Sequence, residues 1–335
     1  MSGLEIAIVG AGAIAETFYL PALKANKAQF GSLAVVEVNE ARRDKMASDF
    51  DLKPFASMQD AAKSGIKAVI VAVPNRFHKL VATEAMRLGM DVLIEKPLAQ
   101  SSVEAQEMVQ TAVETGRILA VNQTRRLFAT SAFVRDAVLT GIFGKLKSVR
   151  YEEGAQFNWT SVDGAYTRTD LARTGVIADL GSHVIDVIAW WVGGDLTLKR
   201  CRHDGWRGPE AFAHIELEGT ADASIKISRL GRMNNIFEVQ FEKALLFGEI
   251  YNWNSLSIEQ NGTITRKNLD SNAKVYSDMA HSLLSDFAKA VTERKEPLFS
   301  AALSLPGMRL IDECYDSAEK FEHSWYKRIA TGGQA

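Results

Sequence analysis

Ile8-Val9-Gly10-Ala11-Gly12-Ala13-Ile14-Ala15 is the stretch whose reading decides the fold. It reads as a strand, a Gly-x-Gly-x-x-Ala turn and the start of a helix. A glycine at 10 permits the tight turn. A glycine at 12 lets a pyrophosphate come close to the backbone, and the small Ala15 lets helix and strand pack together. The free N–H groups at Ala13, Ile14 and the following turn then face the phosphates. Glu37 closes the next apolar run. An acid there accepts hydrogen bonds from the adenosine ribose hydroxyls and repels a 2′-phosphate, which points to NAD. Arg42 and Arg43 follow one helical turn on. They suit a 2′-phosphate, adenine stacking or plain solvent, so NADP stays open.

Working outward, short apolar runs alternate with helix-like segments through the first third. Ile6–Val9, Leu33–Val38, Ala68–Val73, Val92–Ile94 and Ile118–Val121 are Val/Ile-rich without polar alternation, as strands buried on both faces require. Ile14–Ala25, Glu40–Phe50, Phe77–Leu88 and Ser101–Thr115 are amphipathic. This order predicts an α/β, doubly wound parallel (Rossmann) domain over residues 1–122.

Residues 123–330 read differently. Helices are expected at Ala132–Leu139, Val176–Val192, Met279–Thr292 and Leu305–Phe321. Strands are expected at Leu146–Glu152, Leu196–Cys201, Ala213–Leu217, Ala223–Ser228, Ile236–Phe241, Ala244–Gly248 and Leu256–Glu259, with Asn261-Gly262 as a turn. That is an α+β domain on a large, mostly antiparallel, open-faced sheet. The uncovered face predicts a homodimer or homotetramer through this sheet.

The 335 residues carry 39 basic and 41 acidic side chains, a net charge of -2. Such a balance leaves no electrostatic footprint for nucleic acid or an anionic membrane. Two cysteines, Cys201 and Cys314, make neither a disulfide framework nor a zinc site. No histidine spacing suggests a metal. The first apolar run is too short for a signal peptide, and a cytoplasmic location is expected.

Later segments carry a resemblance in order along nearly the whole chain. They are Gly10-Ala11-Gly12, Tyr19-Leu20-Pro21-Ala22-Leu23, Val73-Pro74-Asn75 with His78, Glu95-Lys96-Pro97-Leu98, Arg126, and Gly175 to Asp186 with Asp179, Gly181 and His183. The sequence resembles the Gfo/Idh/MocA oxidoreductases, the family of glucose-fructose oxidoreductase and inositol dehydrogenase. It departs at Arg173-Thr174-Gly175, where a fuller glycine cluster is common, and at Ala129, where a proline is common. The resemblance implies a cis bond before Pro97 and a cofactor site including Val73, Pro74, Asn75, His78, Glu95, Lys96, Pro97 and Asn122. It also implies a substrate pocket that includes Arg126, Trp159, Tyr166 and Arg168, each of which reads equally as ordinary packing or surface.

The residues themselves support this chemistry. Lys96 follows a buried run, so it stands at a strand's carboxyl end, where ligands bind in open α/β sheets. There its ammonium can stabilise charge on a reacting oxygen. The plain alternative is a surface lysine in a loop. Asp179 and His183 are four apart on an expected helix and share a face. A neutral imidazole can take a hydroxyl proton as hydride leaves the same carbon. Asp179 can orient the ring, stabilise its cation or bind a substrate hydroxyl. Alone, His183 reads as a core histidine; its pairing with Asp179 and Lys96 favours catalysis. Asp186 reads as structural, and Asn75 as a helix cap. The expected activity is hydride transfer between NAD(P) and a secondary alcohol or ketone of a sugar, cyclitol or nucleotide-linked sugar. A reductase of a dihydrodiol, imine or tetrapyrrole, or a non-catalytic cofactor-sensing regulator, are the alternatives.

Overall fold

The computed structural model describes residues 3–26, 28–156, 173–205, 209–271 and 273–321. Leu4–Val9 (β1), Phe30–Val36 (β2), Lys53–Phe55 (β3), Ala68–Val71 (β4), Asp91–Ile94 (β5) and Leu119–Val121 (β6) form one parallel sheet in the order β3-β2-β1-β4-β5-β6. The order reverses between β1 and β4, which opens a crevice at their carboxyl ends. β4 and β5 are buried at every position, which is why they read as unbroken Val/Ile/Leu runs.

Around this sheet lie Leu20–Ala25 (α1), Glu40–Phe50 (α2), Met58–Lys63 (α3), His78–Arg87 (α4) and Ser102–Thr115 (α5). The side chains of Asn39, Ser57 and Ser101 accept from the backbone N–H three residues on and start α2, α3 and α5. A π turn, Ala15–Tyr19, precedes α1. β3 and α3 were not foreseen. β3 is three residues long, contains Pro54 and is mostly exposed, as an edge strand can be, so it leaves no apolar run.

The second sheet contains Leu146–Gly154 (β7), Leu196–His203 (β8), Phe212–Gly219 (β9), Asp222–Ser228 (β10), Ile236–Phe241 (β11), Leu245–Glu249 (β12), Ser255–Gln260 (β13), Thr263–Asn268 (β14) and Glu319–Lys320 (β15). Its order is β14-β13-β12-β11-β7-β10-β9-β8-β15. Pairing is antiparallel except between β7 and β10 and between β8 and β15. β14 was missed because all its residues are exposed, so it carries no apolar alternation. Asn261 and Gly262, at φ 51° and 76°, make the tight hairpin that holds it.

Ala129–Thr140 (α6), Ser182–Val192 (α7), Met279–Glu293 (α8) and Leu305–Asp316 (α9) complete the chain, with a π turn, Ile177–Gly181, leading into α7. α9 stops five residues short of the expected Phe321, because Ser317 caps it and Glu319–Lys320 pairs with β8 instead. α7 and α9 bury Ile185, Ile188, Leu310 and Ile311 in one core with Ile215 and Ile225 of the second sheet. α8 behaves otherwise. Its Leu283, Leu284 and Phe287 pack with Ile6, Ile8 and Phe30, so a helix placed in the second half by chain order covers the first sheet. The opposite face of the second sheet is charged and internally paired, Arg150 reaching Glu152 and Glu238, and Lys226 reaching Glu152. Among the described residues no helix is long and apolar enough to cross a membrane, and no acidic, histidine and cysteine cluster fits a metal ion.

Candidate active site

A cavity of about 880 Å³ runs along the crevice from the Gly10 turn to the edge of the second sheet. At its first end Gly10 has φ +102°, and a Cβ there would stand 2.8 Å from the Ala72 carbonyl oxygen. Only glycine fits. At Gly12 a Cβ would meet nothing within 4 Å. The space over Gly12 is therefore free for a ligand to approach the backbone, which is what a pyrophosphate needs. Ala13 and Ile14 line the same stretch. Glu37 accepts the Ala11 N–H at 3.0 Å and the Asn39 N–H at 2.8 Å, and Arg42 reaches it at 3.3 Å. The carboxylate and the guanidinium thus lie together at the mouth of the turn, beside Val38, which is 85% exposed. These residues fit the adenosine half of a dinucleotide.

Midway, Val73, Pro74, Asn75, His78, Glu95 and Pro97 line the cavity. Asn75 caps nothing: it lies in a 3₁₀ turn, and neither that turn nor α4 has a side-chain cap. His78 is buried, with Nδ1 2.8 Å from the Pro97 carbonyl oxygen and Nε2 3.0 Å from that of Val73. It ties the turn after β4 to the turn after β5. Burial depresses its pKa to about 4 despite these carbonyls. A neutral ring donates to only one of them at a time. Asn122 is not among the lining residues. It stands behind Glu95, donating to Glu95 Oε1 at 2.6 Å and to the Tyr19 hydroxyl at 2.9 Å. Tyr19 donates to the same carboxylate at 2.6 Å. Burial and the facing Glu95 push the Tyr19 phenol up, so it stays a donor.

At the far end, Lys96, Asp179 and His183 share the cavity. The Lys96–Pro97 bond is cis. Lys96 Nζ donates to Asp179 Oδ1 at 2.7 Å and to its carbonyl oxygen at 3.3 Å. The second Asp179 oxygen faces Arg229 at 3.0 Å. Burial pushes the Asp179 carboxyl up, but Lys96 and Arg229 outweigh it and hold it below the ordinary carboxylate value. Burial, then the charges of Lys96 and Arg125, drive the His183 imidazole well below its ordinary pKa. Its Nδ1 has no hydrogen-bond partner among the described residues. The neutral imidazole lines the cavity in the field of the Lys96 ammonium.

Arg126 does not line the cavity. It is 2% exposed and pairs with Asp186 through two bonds of 2.9 and 2.7 Å, which accounts for the structural reading of Asp186. Trp159, Tyr166 and Arg168 lie outside the described residues. Sequence reasoning missed Arg229, Tyr251 and Tyr276, which do line it. Each comes from a strand end, a loop or, for Tyr276, the 3₁₀ turn before α8, and no local spacing marks such residues.

Residues 4–123 match the family model described as "Oxidoreductase family, NAD-binding Rossmann fold" (GFO_IDH_MocA). Residues 4–123 are thus similar to the NAD-binding domain of the Gfo/Idh/MocA oxidoreductases. Over 162 residues it is 32% identical to an inositol 2-dehydrogenase of Leifsonia xyli subsp. xyli, covering 48% of this chain and 45% of that protein. Over 298 residues it is 25% identical to a 1,5-anhydro-D-fructose reductase of Ensifer adhaerens, covering 87% and 89%. Several curated relatives are thus matched over only about half their length, 45%, 55% and 51% in three of them. A 3-ketoreductase from Actinomadura kijaniata, solved with NADP and TDP-benzene, superposes with a TM-score of 0.81 at 21% identity, over 96% of this chain and 99% of that one. That likeness extends the shared fold across both halves of the chain.

The two glycines of the turn separate folding from binding. Gly12→Ala should leave the thermal midpoint within about 2 °C of the parent, since its Cβ meets nothing, and should weaken NADH binding, read by fluorescence titration. Gly10→Ala should lower the midpoint as well. Equal NADH affinity in Gly12→Ala and the parent would remove the pyrophosphate from this turn.

Proposed function

We propose that this oxidoreductase moves a hydride between NAD, in preference to NADP, and a secondary alcohol or ketone carbon of a sugar, cyclitol or nucleotide-linked sugar. The observation that carries the reading is the meeting of Lys96, Asp179 and His183 on the cavity that begins at the glycine turn. Gly10, Gly12 and Glu37 would hold the adenosine half of the cofactor, and the Val73–Pro74 and Glu95–Pro97 turns the other half. When bound, the nicotinamide supplies the redox chemistry.

The protein's own part is charge and proton handling. Lys96, paired with Asp179, donates to the reacting oxygen and stabilises the negative charge that develops there. His183, neutral at rest, accepts the hydroxyl proton in oxidation and returns it in reduction. Asp179 keeps the ammonium aimed, and Arg229 fixes Asp179 from the second sheet. Assembly as a homodimer or homotetramer through that sheet belongs to the same proposal, and sedimentation velocity reads it directly; a monomer at micromolar concentration would end that part of the proposal.

The activity test is a panel of sugars, cyclitols and nucleotide-linked sugars, followed at the reduced-nicotinamide band with NAD⁺ and NADP⁺ in parallel. Turnover should favour NAD⁺, and Lys96→Ala should cut kcat by roughly 10²–10³, the loss typical of one oxyanion donor, with NADH affinity nearly unchanged. Because the His183 pKa is depressed, the base is already neutral at pH 6.5. The kcat/KM for alcohol oxidation should therefore stay level down through pH 6.5 and fall only below it. Undiminished turnover in Lys96→Ala would overturn the mechanism.

A further inference from the structure

The helix that carries Asp179 and His183 has no side-chain cap of its own. Its first N–H groups are satisfied from distant parts of the chain. The Glu210 carbonyl oxygen accepts from Val176 N–H at 2.7 Å, and Glu210 Oε1 accepts from Ile177 N–H at 3.0 Å. The Tyr315 hydroxyl accepts from Ala178 N–H at 3.2 Å and donates to Glu210 Oε1 at 2.8 Å. Facing Glu210, and burial before it, push the Tyr315 phenol upward, so it remains a donor. The carboxylate sits so close that a Cβ at Gly175 would stand 2.0 Å from it. A carboxylate at that end also opposes the positive pole of the helix.

Three residues back on the same face of α9 stands Asp312. It accepts the Ser102 N–H at 2.7 Å, at the start of the helix that follows the Lys96–Pro97 turn. It also pairs with Arg173. Arg173 in turn donates to the Gln100 carbonyl at 2.5 Å and lies over the Tyr315 ring at 5.3 Å. Its φ of 55° is left-handed, a conformation a non-glycine residue holds only where its surroundings fix it. One face of α9 therefore grips both the segment after Lys96, through Gln100 and Ser102, and the start of the Asp179–His183 helix, through Ala178 and Glu210.

We propose that Asp312 and Tyr315 of α9 are positioning residues that set the separation between Lys96 and the Asp179–His183 helix, with Glu210 and Arg173 as their intermediaries. This rests on the catalytic reading of Lys96 and His183 given above. Neither residue lines the main cavity. Their effect is on geometry, and misplacing a catalytic group by about 1 Å costs roughly 10²-fold in rate.

Tyr315→Phe keeps the ring under Arg173 and deletes only the hydroxyl; Asp312→Asn keeps the shape and deletes the charge. Each should lower kcat at least tenfold with the best substrate of the panel, while NADH affinity stays within twofold. A protein in which Tyr315 and Asp312 only stabilise the fold would lose thermal midpoint and keep kcat, and that result overturns the proposal. Should the parent turn over no member of the panel, the catalytic reading has failed by itself. The positioning claim is then decided by the His183 imidazole resonances in ¹³C-histidine-labelled protein. A displaced His183 signal or pKa in Tyr315→Phe upholds it, and a superimposable titration overturns it.

Discussion

Everything at the far end of the cavity depends on one partly buried carboxylate held between two cations. Asp179 receives Lys96 from the first sheet and Arg229 from the second. A carboxylate this enclosed would be costly alone, because desolvation of an ion exceeds what one imperfect partner returns. Two partners on separate oxygens reverse the balance, as the depressed pKa of Asp179 records. The same geometry fixes where Lys96 points. It also adds to what burial does to His183: a buried imidazole beside an ammonium and near Arg125 cannot hold a proton cheaply, so it rests neutral.

The halves of the molecule are arranged to deliver this meeting. The reversal of strand order between β1 and β4 places the glycine turn, the Val73–Pro74 turn and the Lys96–Pro97 turn along one edge. α7 and the π turn before it ride on the second sheet and bring His183 and Asp179 to that edge. The halves are also laced together away from it. α8 returns to cover the first sheet, and Arg294 reaches Asp91 at the foot of β5. Such lacing resists the relative motion expected between independently packed domains.

The first half was legible because a parallel sheet writes itself as apolar runs, and because Gly10, Gly12 and Glu37 act through backbone they themselves shape. Lys96 and the Asp179–His183 pair were legible for a similar reason: each follows a local signal, a strand end before proline or a four-residue spacing. Arg126 shows where such reading fails. A buried arginine and one contacting a ligand look alike in sequence, and only the position of Asp186 decides between them. Arg229, Tyr251, Glu210 and Tyr315 were invisible because their partners lie from tens to more than a hundred residues away. β3 and β14 escaped because edge strands with exposed side chains have no pattern to show.

The pairing of Glu37 with Arg42 bears on the cofactor in a way neither residue does alone. Read singly, the acid favours a ribose hydroxyl and the arginine favours a 2′-phosphate. In the structure the carboxylate is fastened by two backbone amides, those of Ala11 and Asn39, whereas the arginine hangs from the carboxylate through a half-exposed side chain. Backbone amides of a tight turn do not move aside; a long solvated side chain does. A 2′-phosphate would gain Arg42 only by breaking its ion pair, and would then lie against a carboxylate that cannot leave. A ribose hydroxyl meets no such conflict, since it can donate to the remaining lone pairs of Glu37 with Arg42 left in place. That asymmetry between a fixed anion and a mobile cation supports the proposed preference for NAD.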